Sequence, residues 1–415
     1  MLKTRLARLA VAATLTASAT FATVPAHAQS SGSANLSGSS GSSLVNNSDP
    51  IGQQIRAISE GLDVTLIGDI VGRAQTGQIG LVGADLGVMA PVGAGEEFAI
   101  VFGDSFTAER LGGTWMSPVG VVAQMGADGS ITITRPLNDG AEVQQLIDYA
   151  HTDGLTLIPS DIINIDGTLY MQGMWNKGIG NVLSTEIFSS ADYGMTWQSE
   201  GKTSTSYMKG KGNLISWDRG PDGYIYVTSS EFKRKDPVYL SRFRIEDIGD
   251  RTKWEIYDPT TGVWSNEGTA ILRTNVSAGE MCLRYIQGHW VHVMFNAATM
   301  AIEVRISDEI ARDWNEIAPA YVVVAGTGGW GSAQSPNNFT QLYGGYIVPG
   351  STIDNMDLIV SHWNTSNNST YTSTQFNVKG LDTFFGINLA GPDPAPTTNQ
   401  ADVDVTVTDS DTTVL

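Results

Sequence analysis

The sequence predicts an all-β protein, a five-bladed β-propeller, on three observations. Alternating or apolar runs separated by Gly, Asp and Asn dominate the middle of the chain, among them TLYMQGMW, YIYVTSS, WVHVMFN and DLIVSHW. Tryptophans recur after strands at Trp197, Trp254 and Trp314, at intervals of 57 and 60 residues. Such a period fits one four-stranded blade, and it divides a strand-bearing region of about 300 residues into about five blades.

The N-terminus has the pattern of a secretory signal peptide. Basic side chains occur within the first eight residues, an apolar run over 9–22 follows them, and a small-x-small AHA motif ends at Ala28. We therefore expect residues 1–28 to be a signal peptide and the mature protein to be secreted or held in the cell envelope.

Composition divides the remaining chain into three parts. Residues 29–49 are rich in Ser and Gly and are predicted to form a flexible linker, and 391–415 is rich in Pro, Thr and Asp and is predicted to be a flexible tail. The propeller domain is expected over 50–390. Helical periodicity is rare there, and the best helical candidate is AEVQQLIDYAH at 141–151.

The charge balance is strongly acidic. Lys and Arg number 24 against 43 Asp and Glu, which gives a net charge of −19 at pH 7. Such a surface repels nucleic acid and anionic membranes, so neither is an expected partner. Outside the N-terminal run no stretch approaches the length of a membrane span. The single cysteine, Cys282, cannot form an internal disulfide, and we expect a monomer.

The segment SADYGMTW, which ends at Trp197, resembles the Asp-box of sialidase-type propellers. Asp192 can accept backbone N–H bonds, Gly194 can adopt a positive φ, and Trp197 can pack between blades. These roles are structural, so the segment indicates a blade rather than a site.

In the segment EEFAIVFGDSF an apolar strand is followed directly by Gly103 and Asp104, which places a carboxylate at the end of a run of core residues. A buried lone carboxylate is unfavourable, so Asp104 is either a solvated turn residue or lies where a charge is needed. The segment LVGADLGV places Asp85 on a neighbouring strand of the same predicted blade. If both aspartates face the mouth of the central channel, they are the two carboxylates that glycosidic cleavage requires. The alternative is that each aspartate caps a turn beside a glycine.

From about Thr65 to Gly380 the chain resembles glycoside hydrolase family 183, the endo-D-arabinanases, first catalogued as an actinobacterial domain of unknown function. The matching pieces occur in order as ADLGV, FGDSF, TWMSPVGVVA, LIPSDIINIDGTLYMQGM, SSADYGMTW, DGYIYVTSSEFKRKDPVYLSRF, AGEMCLRYIQGHWVHVMF, LYGGYIVP and LIVSHWN. The resemblance implies a five-bladed propeller that hydrolyses the D-arabinan of cell-wall arabinogalactan and lipoarabinomannan with inversion. It also implies Asp85 and Asp104 as the catalytic pair.

Other five-bladed furanose hydrolases carry their base on the earliest inner strand, and this analogy suggests Asp85 as base and Asp104 as acid. The chain departs from the family pattern at Cys282, where a small polar residue is expected, and in EFKRKDPVY, which lacks a glycine near the basic residue. These departures concern substrate contacts more than the chemistry.

Four further residues are candidates for substrate binding. Glu280 stands at a predicted strand start, where it can bind a hydroxyl or tune a catalytic pKa, and a structural hydrogen bond is the alternative. Arg234 and His362 are expected to reach the cleft on similar grounds. Trp330 lies in the glycine-rich GTGGWGS and can form a platform for a sugar face, with ordinary packing as the alternative.

No motif predicts a metal, a phosphate-binding loop or a cofactor. His289 and His292 are three apart on a predicted strand and point to opposite faces, so packing or surface roles are expected. GTGGWGS lacks the Lys-Ser/Thr ending of a phosphate loop, and no serine stands in a nucleophile elbow.

The sequence is compatible with two classes of function. The first is a secreted endo-acting glycosidase with Asp85 and Asp104 as its acid and base. The second is a non-catalytic propeller that binds wall glycan or another exported protein and keeps the aspartates as turn caps. In an inverting enzyme the two carboxyl groups face each other across an open cleft, roughly 6.5–9.5 Å apart.

Overall fold

The structure is a computed structural model that describes residues 56–93, 95–178 and 180–389. The predicted signal peptide, linker and C-terminal tail lie outside the described residues, as do both ends of the predicted propeller domain. The strands are β1 (Asp63–Asp69), β2 (Gly83–Pro91), β3 (Phe98–Ala108), β4 (Gly112–Met116), β5 (Val119–Met125), β6 (Ile131–Pro136), β7 (Leu155–Ile165), β8 (Thr168–Lys177), β9 (Val182–Ser190), β10 (Gln198–Ser204), β11 (Leu214–Arg219), β12 (Ile225–Ser230), β13 (Tyr239–Phe243), β14 (Glu255–Asp258), β15 (Val263–Ser265), β16 (Ala278–Ile286), β17 (His289–Asn296), β18 (Ala301–Ser307), β19 (Ala320–Val324), β20 (Leu342–Ile347), β21 (Asn355–Trp363) and β22 (Tyr371–Lys379).

Helical structure is limited to short pieces. These are the α-helices α1 (Arg73–Thr76) and α2 (Leu381–Phe385), and 3₁₀ turns at Gly77–Ile79, Thr152–Gly154, Tyr207–Gly210, Ile245–Asp247, Arg251–Lys253, Trp314–Glu316 and Gly329–Gly331. Among the described residues, no helix is both long enough and apolar enough to cross a membrane.

The strands form five antiparallel sheets, which are the five blades of a β-propeller, as the sequence predicts. Blade 1 has the order β2-β3-β5-β6, with β4 paired to β3, and blades 2, 3 and 4 comprise β7–β10, β11–β15 and β16–β19. Blade 5 contains β20–β22 and is completed by β1, because Asp63 pairs opposite Lys379. This pairing joins the two ends of the fold and covers a sheet edge that would otherwise be open.

The inner strands of the five blades are β2, β7, β11, β16 and β20, and each packs against the inner strands of its two neighbours. Their residues are almost entirely buried, which accounts for continuous apolar runs such as GVMA in β2. In a propeller the inner strands enter the central channel from one end. The first residues of these strands therefore surround one mouth of the channel.

The three periodic tryptophans occupy equivalent places, which confirms the repeat. Trp197, Trp254 and Trp314 each lie between the third and fourth strands of successive blades. Each indole N–H donates to a backbone carbonyl a few residues upstream, at 3.0, 3.1 and 2.9 Å respectively. Trp254 and Trp314 are buried, whereas Trp197 is only partly buried.

The Asp-box turn forms as predicted. Asp192 Oδ1 accepts hydrogen bonds from the Thr196 backbone N–H at 2.9 Å and from the Ser190 hydroxyl at 2.7 Å. Gly194 has a φ of 93°, and a side chain added there would collide with Leu137 from the connection between blades 1 and 2. The turn thus serves packing between blades.

The helix predicted over 141–151 does not form, and this prediction was wrong. The backbone amides of the segment bond to neighbouring segments instead of to each other. Val143 N–H donates to the Ile79 carbonyl, and Leu146 N–H donates to the Pro118 carbonyl, both at 2.9 Å. The segment is consequently an irregular loop that lies against blade 1.

A buried ion pair closes the channel beneath its mouth. Asp161 on β7 is fully buried, and both of its oxygens accept from the Arg284 guanidinium of β16 at 2.8 Å. The same guanidinium donates to the Met89 carbonyl of β2 at 3.0 Å and to the Trp217 carbonyl of β11 at 3.2 Å. One ion pair therefore links the inner strands of four blades.

Candidate active site

Asp85 and Asp104 meet at a β-bulge between β2 and β3. Ala84 pairs with Ser105 and Leu86 pairs with Phe102, so Asp85 lies opposite both Gly103 and Asp104. A bulge redirects side chains that a regular ladder would send to alternate faces. It brings two carboxyl groups together near the start of inner strand β2, at the mouth of the channel. Both residues are partly buried.

The bulge is fixed by blade 5 and requires a glycine. Leu86 has a φ of 64°, and its backbone N–H and carbonyl bond to the hydroxyls of Ser361 and Ser373 at 2.8 and 2.7 Å. These contacts stabilise a backbone conformation that a leucine rarely adopts. A Cβ atom at Gly103 would lie 2.7 Å from Asp85 Oδ1. Glycine at 103 therefore leaves room for the carboxyl group of Asp85.

Asp85 interacts with hydroxyl groups and with other acids. The Tyr343 hydroxyl, at the start of β20, lies 2.8 Å from Asp85 Oδ2. Burial raises the pKa of Asp85 to about 8, with a further increase from the negative charges of Asp104 and Glu280, and hydrogen bonds to Tyr343 and Tyr371 oppose this shift in part. Asp85 is thus largely protonated at neutral pH.

Asp104 has a different set of partners. Its Oδ1 atom accepts from the Trp115 indole N–H at 2.9 Å and from the Thr156 hydroxyl at 2.7 Å. Burial raises the pKa of Asp104, and the bonds from Thr156 and Trp115 together with the charge of His151 act in the opposite direction. An indole nitrogen can only donate, so this oxygen is held as an acceptor.

Glu280 and Arg234 form an ion pair beside Asp85. The Arg234 Nη2 atom lies 2.6 Å from Glu280 Oε1, and the Glu280 side chain is only 3% exposed. The guanidinium also lies over the ring of Tyr343, 4.9 Å from its centroid. Two sequence candidates are thereby placed next to the acid pair, and Glu280 acts on the pKa of Asp85 through its charge.

Trp330 and His362 lie together on the blade 5 side of the mouth. Their ring centroids are 5.2 Å apart, and His362 stacks on Phe339 at 4.1 Å. Burial lowers the pKa of His362 to about 3, so the ring is neutral. Trp330 Nε1–H donates to Gln341 at 3.0 Å, and Gln341 stands two residues before Tyr343. Gln341 thus holds Trp330 beside the start of β20, which carries Tyr343, and His362 packs against both Trp330 and Phe339.

Sequence reasoning did not single out four residues that contact the acids, namely Trp115, Thr156, Tyr343 and Tyr371. They come from β4, β7, β20 and β22, so three different blades contribute to one site. Trp115 and Tyr343 fall inside the matched pieces TWMSPVGVVA and LYGGYIVP, but nothing in the residue pattern distinguishes them from packing aromatics.

His289, His292 and Cys282 lie in structural settings. His289 pairs with Asp308, and His292 is buried with its ring edge-on to Trp314, as expected for surface and packing roles. Cys282 is fully buried, and burial raises the pKa of its thiol to about 12, which makes it unreactive. The segment around Trp330 forms a 3₁₀ turn rather than a phosphate loop.

The two carboxyl groups can serve as a proton donor and a proton acceptor. A carboxylic acid that keeps its proton near neutral pH stands beside a second carboxyl group whose oxygen is held as an acceptor. Pairs of carboxyl groups whose environments separate their pKa values are the usual basis of general acid and general base catalysis. Both side chains are accessible at the channel mouth, as such chemistry requires.

The chain is similar in sequence to known proteins. The sequence profile of the family described as Domain of unknown function (DUF4185) matches residues 72–377. A relative from Mycolicibacterium smegmatis, an uncharacterized 35.9 kDa protein in the asd 3' region, is 29% identical over 280 residues, which cover 64% of this chain and 83% of the relative.

Two solved structures are similar in fold. A proposed hydrolase from Bacteroides ovatus ATCC 8483 has a TM-score of 0.55 at 13% identity, over 76% of this chain and 90% of that chain. An exo-β-1,3-galactanase from Phanerochaete chrysosporium has a TM-score of 0.49 at 9% identity, over 77% of this chain and 64% of that chain. At these identities the first similarity supports the propeller fold alone.

Proposed function

The chain belongs to the family described as Domain of unknown function (DUF4185), and on that premise we propose that it is an endo-acting glycoside hydrolase of cell-wall D-arabinan, a family 183 enzyme. The observation that carries the proposal is the pair Asp85 and Asp104 at one bulge, with different hydrogen-bond partners. A turn-capping aspartate would bond to nearby backbone amides. Asp85 and Asp104 instead bond to side chains from blades 1, 2 and 5.

The raised pKa of Asp85 and the hydrogen bonds to Asp104 favour Asp85 as the general acid and Asp104 as the general base. Burial raises the pKa of Asp85 to about 8, although the Tyr343 hydroxyl donates to its Oδ2 atom at 2.8 Å, so Asp85 retains its proton near neutral pH. Asp104 Oδ1 is held as an acceptor by Trp115. This assignment reverses the one that the analogy with other furanose hydrolases suggests. In the reaction, Asp104 removes a proton from water, the water oxygen bonds to the anomeric carbon, and Asp85 protonates the departing sugar oxygen.

Aromatic side chains around the mouth suit a neutral polysaccharide. Trp115, Trp330, Trp363 and Tyr371 are all partly exposed, and each offers an apolar face with a polar edge. We assign Trp330 as a sugar platform and the Arg234–Glu280 pair as a hydroxyl contact beside Asp85, with His362 supporting Trp330. The net charge of −19 disfavours polyanionic substrates.

The proposed place of action is outside the cell or in its envelope. This rests on the signal-peptide pattern that ends at Ala28, and it fits a wall polysaccharide as substrate. An endo-acting enzyme must bind chain on both sides of the scissile bond, and a wall polymer provides such a chain. Arabinogalactan and lipoarabinomannan are the polymers that we propose.

The test is incubation of the protein with purified mycobacterial arabinogalactan and mass analysis of the soluble products over time. We expect a ladder of arabino-oligosaccharides at early times, and no product from β-1,3-galactan as the control polymer. Release of arabinose alone would contradict endo action. Binding to arabinogalactan without any product would contradict the enzyme and support the non-catalytic propeller.

A further inference from the structure

His151 lies between two hydrogen-bond acceptors. Its Nδ1 atom is 2.8 Å from the Leu155 backbone carbonyl, and its Nε2 atom is 2.8 Å from the side-chain oxygen of Gln145. A backbone carbonyl can only accept. Both bonds therefore form only when both ring nitrogens carry protons, which is the imidazolium state, provided that Gln145 presents its oxygen.

The orientation of Gln145 is fixed by its other contacts. Its side-chain nitrogen donates to the carbonyls of Ile147 and Tyr149 at 2.8 and 3.0 Å. Its side-chain oxygen also accepts from the Ser117 backbone N–H at 3.2 Å. A flipped amide would place an oxygen against two carbonyls and a nitrogen against an N–H, losing all three bonds. The acceptor next to His151 Nε2 is therefore an oxygen.

The His151 ring is connected to the acid pair through Trp115. The two rings are stacked, with centroids 4.0 Å apart and an angle of 24° between their planes. The indole N–H of Trp115 donates to Asp104 Oδ1 at 2.9 Å. A cation over an indole face is attracted to the ring. The same cation makes the indole N–H a stronger donor and stabilises a negative charge beyond it.

We propose that His151 is a positioning residue which, held as an imidazolium by Leu155 and Gln145, acts through the Trp115 indole to keep Asp104 ionised as the general base. The inference rests on the proposed function, because it assigns Asp104 as the base. Among the described residues His151 forms no hydrogen bond to Asp104, and its effect is exerted by charge and by the orientation of Trp115.

The other titratable groups near His151 are neutral or paired elsewhere. Tyr149 packs against the ring at a centroid distance of 4.9 Å, and burial raises its pKa to about 12, so it stays neutral. Asp153 follows two residues later and pairs with Lys177 at 3.1 Å. Asp104 is thus the carboxyl group that is joined to His151 through the Trp115 indole.

The test measures protonation directly and does not depend on substrate. In the full-length protein with labelled histidine and aspartate, ¹⁵N spectra should show a doubly protonated His151 at pH 6. The carboxyl ¹³C titration of Asp104, assigned with Asp104→Asn, should move upward by roughly 1 pH unit in His151→Gln, as expected when a nearby opposite charge is removed. Trp115→Phe keeps a stacking ring but loses the donor, and it should shift Asp104 in the same direction.

The matched control is His289→Gln, because His289 also lies beside a carboxylate, Asp308, but sits in the hairpin between β16 and β17. It should leave the Asp104 titration unchanged. A singly protonated His151 at pH 6, or an unchanged Asp104 titration in both His151→Gln and Trp115→Phe, would overturn the proposal. A wild-type protein that shows the expected spectra but cleaves no arabinan would instead overturn the proposed function.

On arabinan, the acid limb of the kcat/KM profile should move to higher pH in His151→Gln by the same amount as the Asp104 titration, with the alkaline limb in place. A merely structural role would lower kcat/KM at every pH without moving either limb. That outcome would also contradict the proposal.

Discussion

Two acidic sites share the central channel, and they differ in their partners. Asp161, deep in the channel, is fully buried and is bound by both terminal nitrogens of Arg284 at 2.8 Å. Asp85, at the mouth, receives hydroxyl contacts, and burial raises its pKa to about 8 with a further increase from the charges of Asp104 and Glu280. Asp161 is therefore held in a structural ion pair, and Asp85 retains a proton that can be transferred. Both carboxyl groups are removed from water, so their roles differ through their partners.

The two regions also differ in function: the ion pair stabilises the fold, and the mouth carries the groups proposed for the chemistry. The Asp161–Arg284 pair satisfies hydrogen bonds from the inner strands of four blades. The mouth instead gathers like charges at a bulge with an unusual backbone conformation at Leu86. Removing a partner should therefore destabilise the protein in the first region and change its chemistry in the second.

The largest expected effect is the loss of reaction rate in a variant of Asp104 and its recovery with azide. Asp104→Gly should lose roughly 10²–10⁴ in rate, and azide should restore much of it on an arabinofuranoside with an activated leaving group. Azide then bonds to the anomeric carbon in place of water, and the product is a glycosyl azide of inverted configuration. Measurement is by product NMR and initial rates.

The control for rescue is Asp85→Asn, which should not respond to azide. This variant should keep far more activity on the activated substrate than on arabinan, because a good leaving group needs no proton. Rescue of Asp85→Asn and not of Asp104→Gly would restore the assignment of Asp85 as base that the sequence analogy suggests.

The next effect concerns the structural ion pair. Arg284→Met leaves the charge of Asp161 buried without its partner, and the free energy of unfolding should fall by about 3–5 kcal/mol. Equilibrium urea unfolding measures the loss. Asp161→Leu combined with Arg284→Met removes both charges and should recover most of it. A double variant no more stable than Arg284→Met would show that the charge of Asp161 is not the cause.

The smallest effect is the pH dependence of stability. The folded-state pKa of Asp85, about 8, lies above the unfolded value near 3.9, so its unfavourable contribution grows as pH rises from about 4 to about 8. Asp85→Asn avoids this contribution, and its Tm relative to wild type should rise between pH 5 and pH 9. Each pH unit between about 5 and 8 adds at most about 1.4 kcal/mol to this contribution. Because 1 kcal/mol shifts Tm by roughly 2–4 °C in a protein of 150–250 residues and by less in this larger chain, the Tm difference should grow by about 1–3 °C per pH unit.

Asp192→Asn is the matched control for this measurement. Hydrogen bonds from Thr196 and Ser190 lower the pKa of Asp192, so it is ionised in both the folded and unfolded states from pH 5 to pH 9. Its Tm difference from wild type should stay constant over that range. An Asp85→Asn difference that is equally constant would contradict the raised pKa of Asp85.

The fold was largely predictable from sequence because blades repeat. Trp197, Trp254 and Trp314 mark the same point of three successive blades, and their spacing gave the number of blades. The segment 141–151 was mispredicted because its periodicity is helical, while its amides bond to Ile79 and Pro118 in other segments. Local pattern cannot detect such tertiary partners.

The site was only partly predictable. Asp85 and Asp104 stand out because a carboxylate beside glycine ends an apolar strand. Their partners do not, since Tyr343 is 258 residues from Asp85 and Thr156 is 52 residues from Asp104. The different hydrogen-bond environments of the two acids arise from these distant contacts. Sequence therefore indicates which acids to consider, whereas the choice of acid and base depends on the fold.

The central claim is that the carboxyl pair at the mouth performs the chemistry, and one comparison of rates tests it most directly. We would measure kcat/KM on D-arabinan for wild type, Asp85→Asn, Asp104→Asn and the control Asp192→Asn, with circular dichroism to verify folding. We expect each mouth variant to fold normally yet lose at least about 10² in rate, while Asp192→Asn keeps its activity. Near-wild-type cleavage by either Asp85→Asn or Asp104→Asn would contradict it.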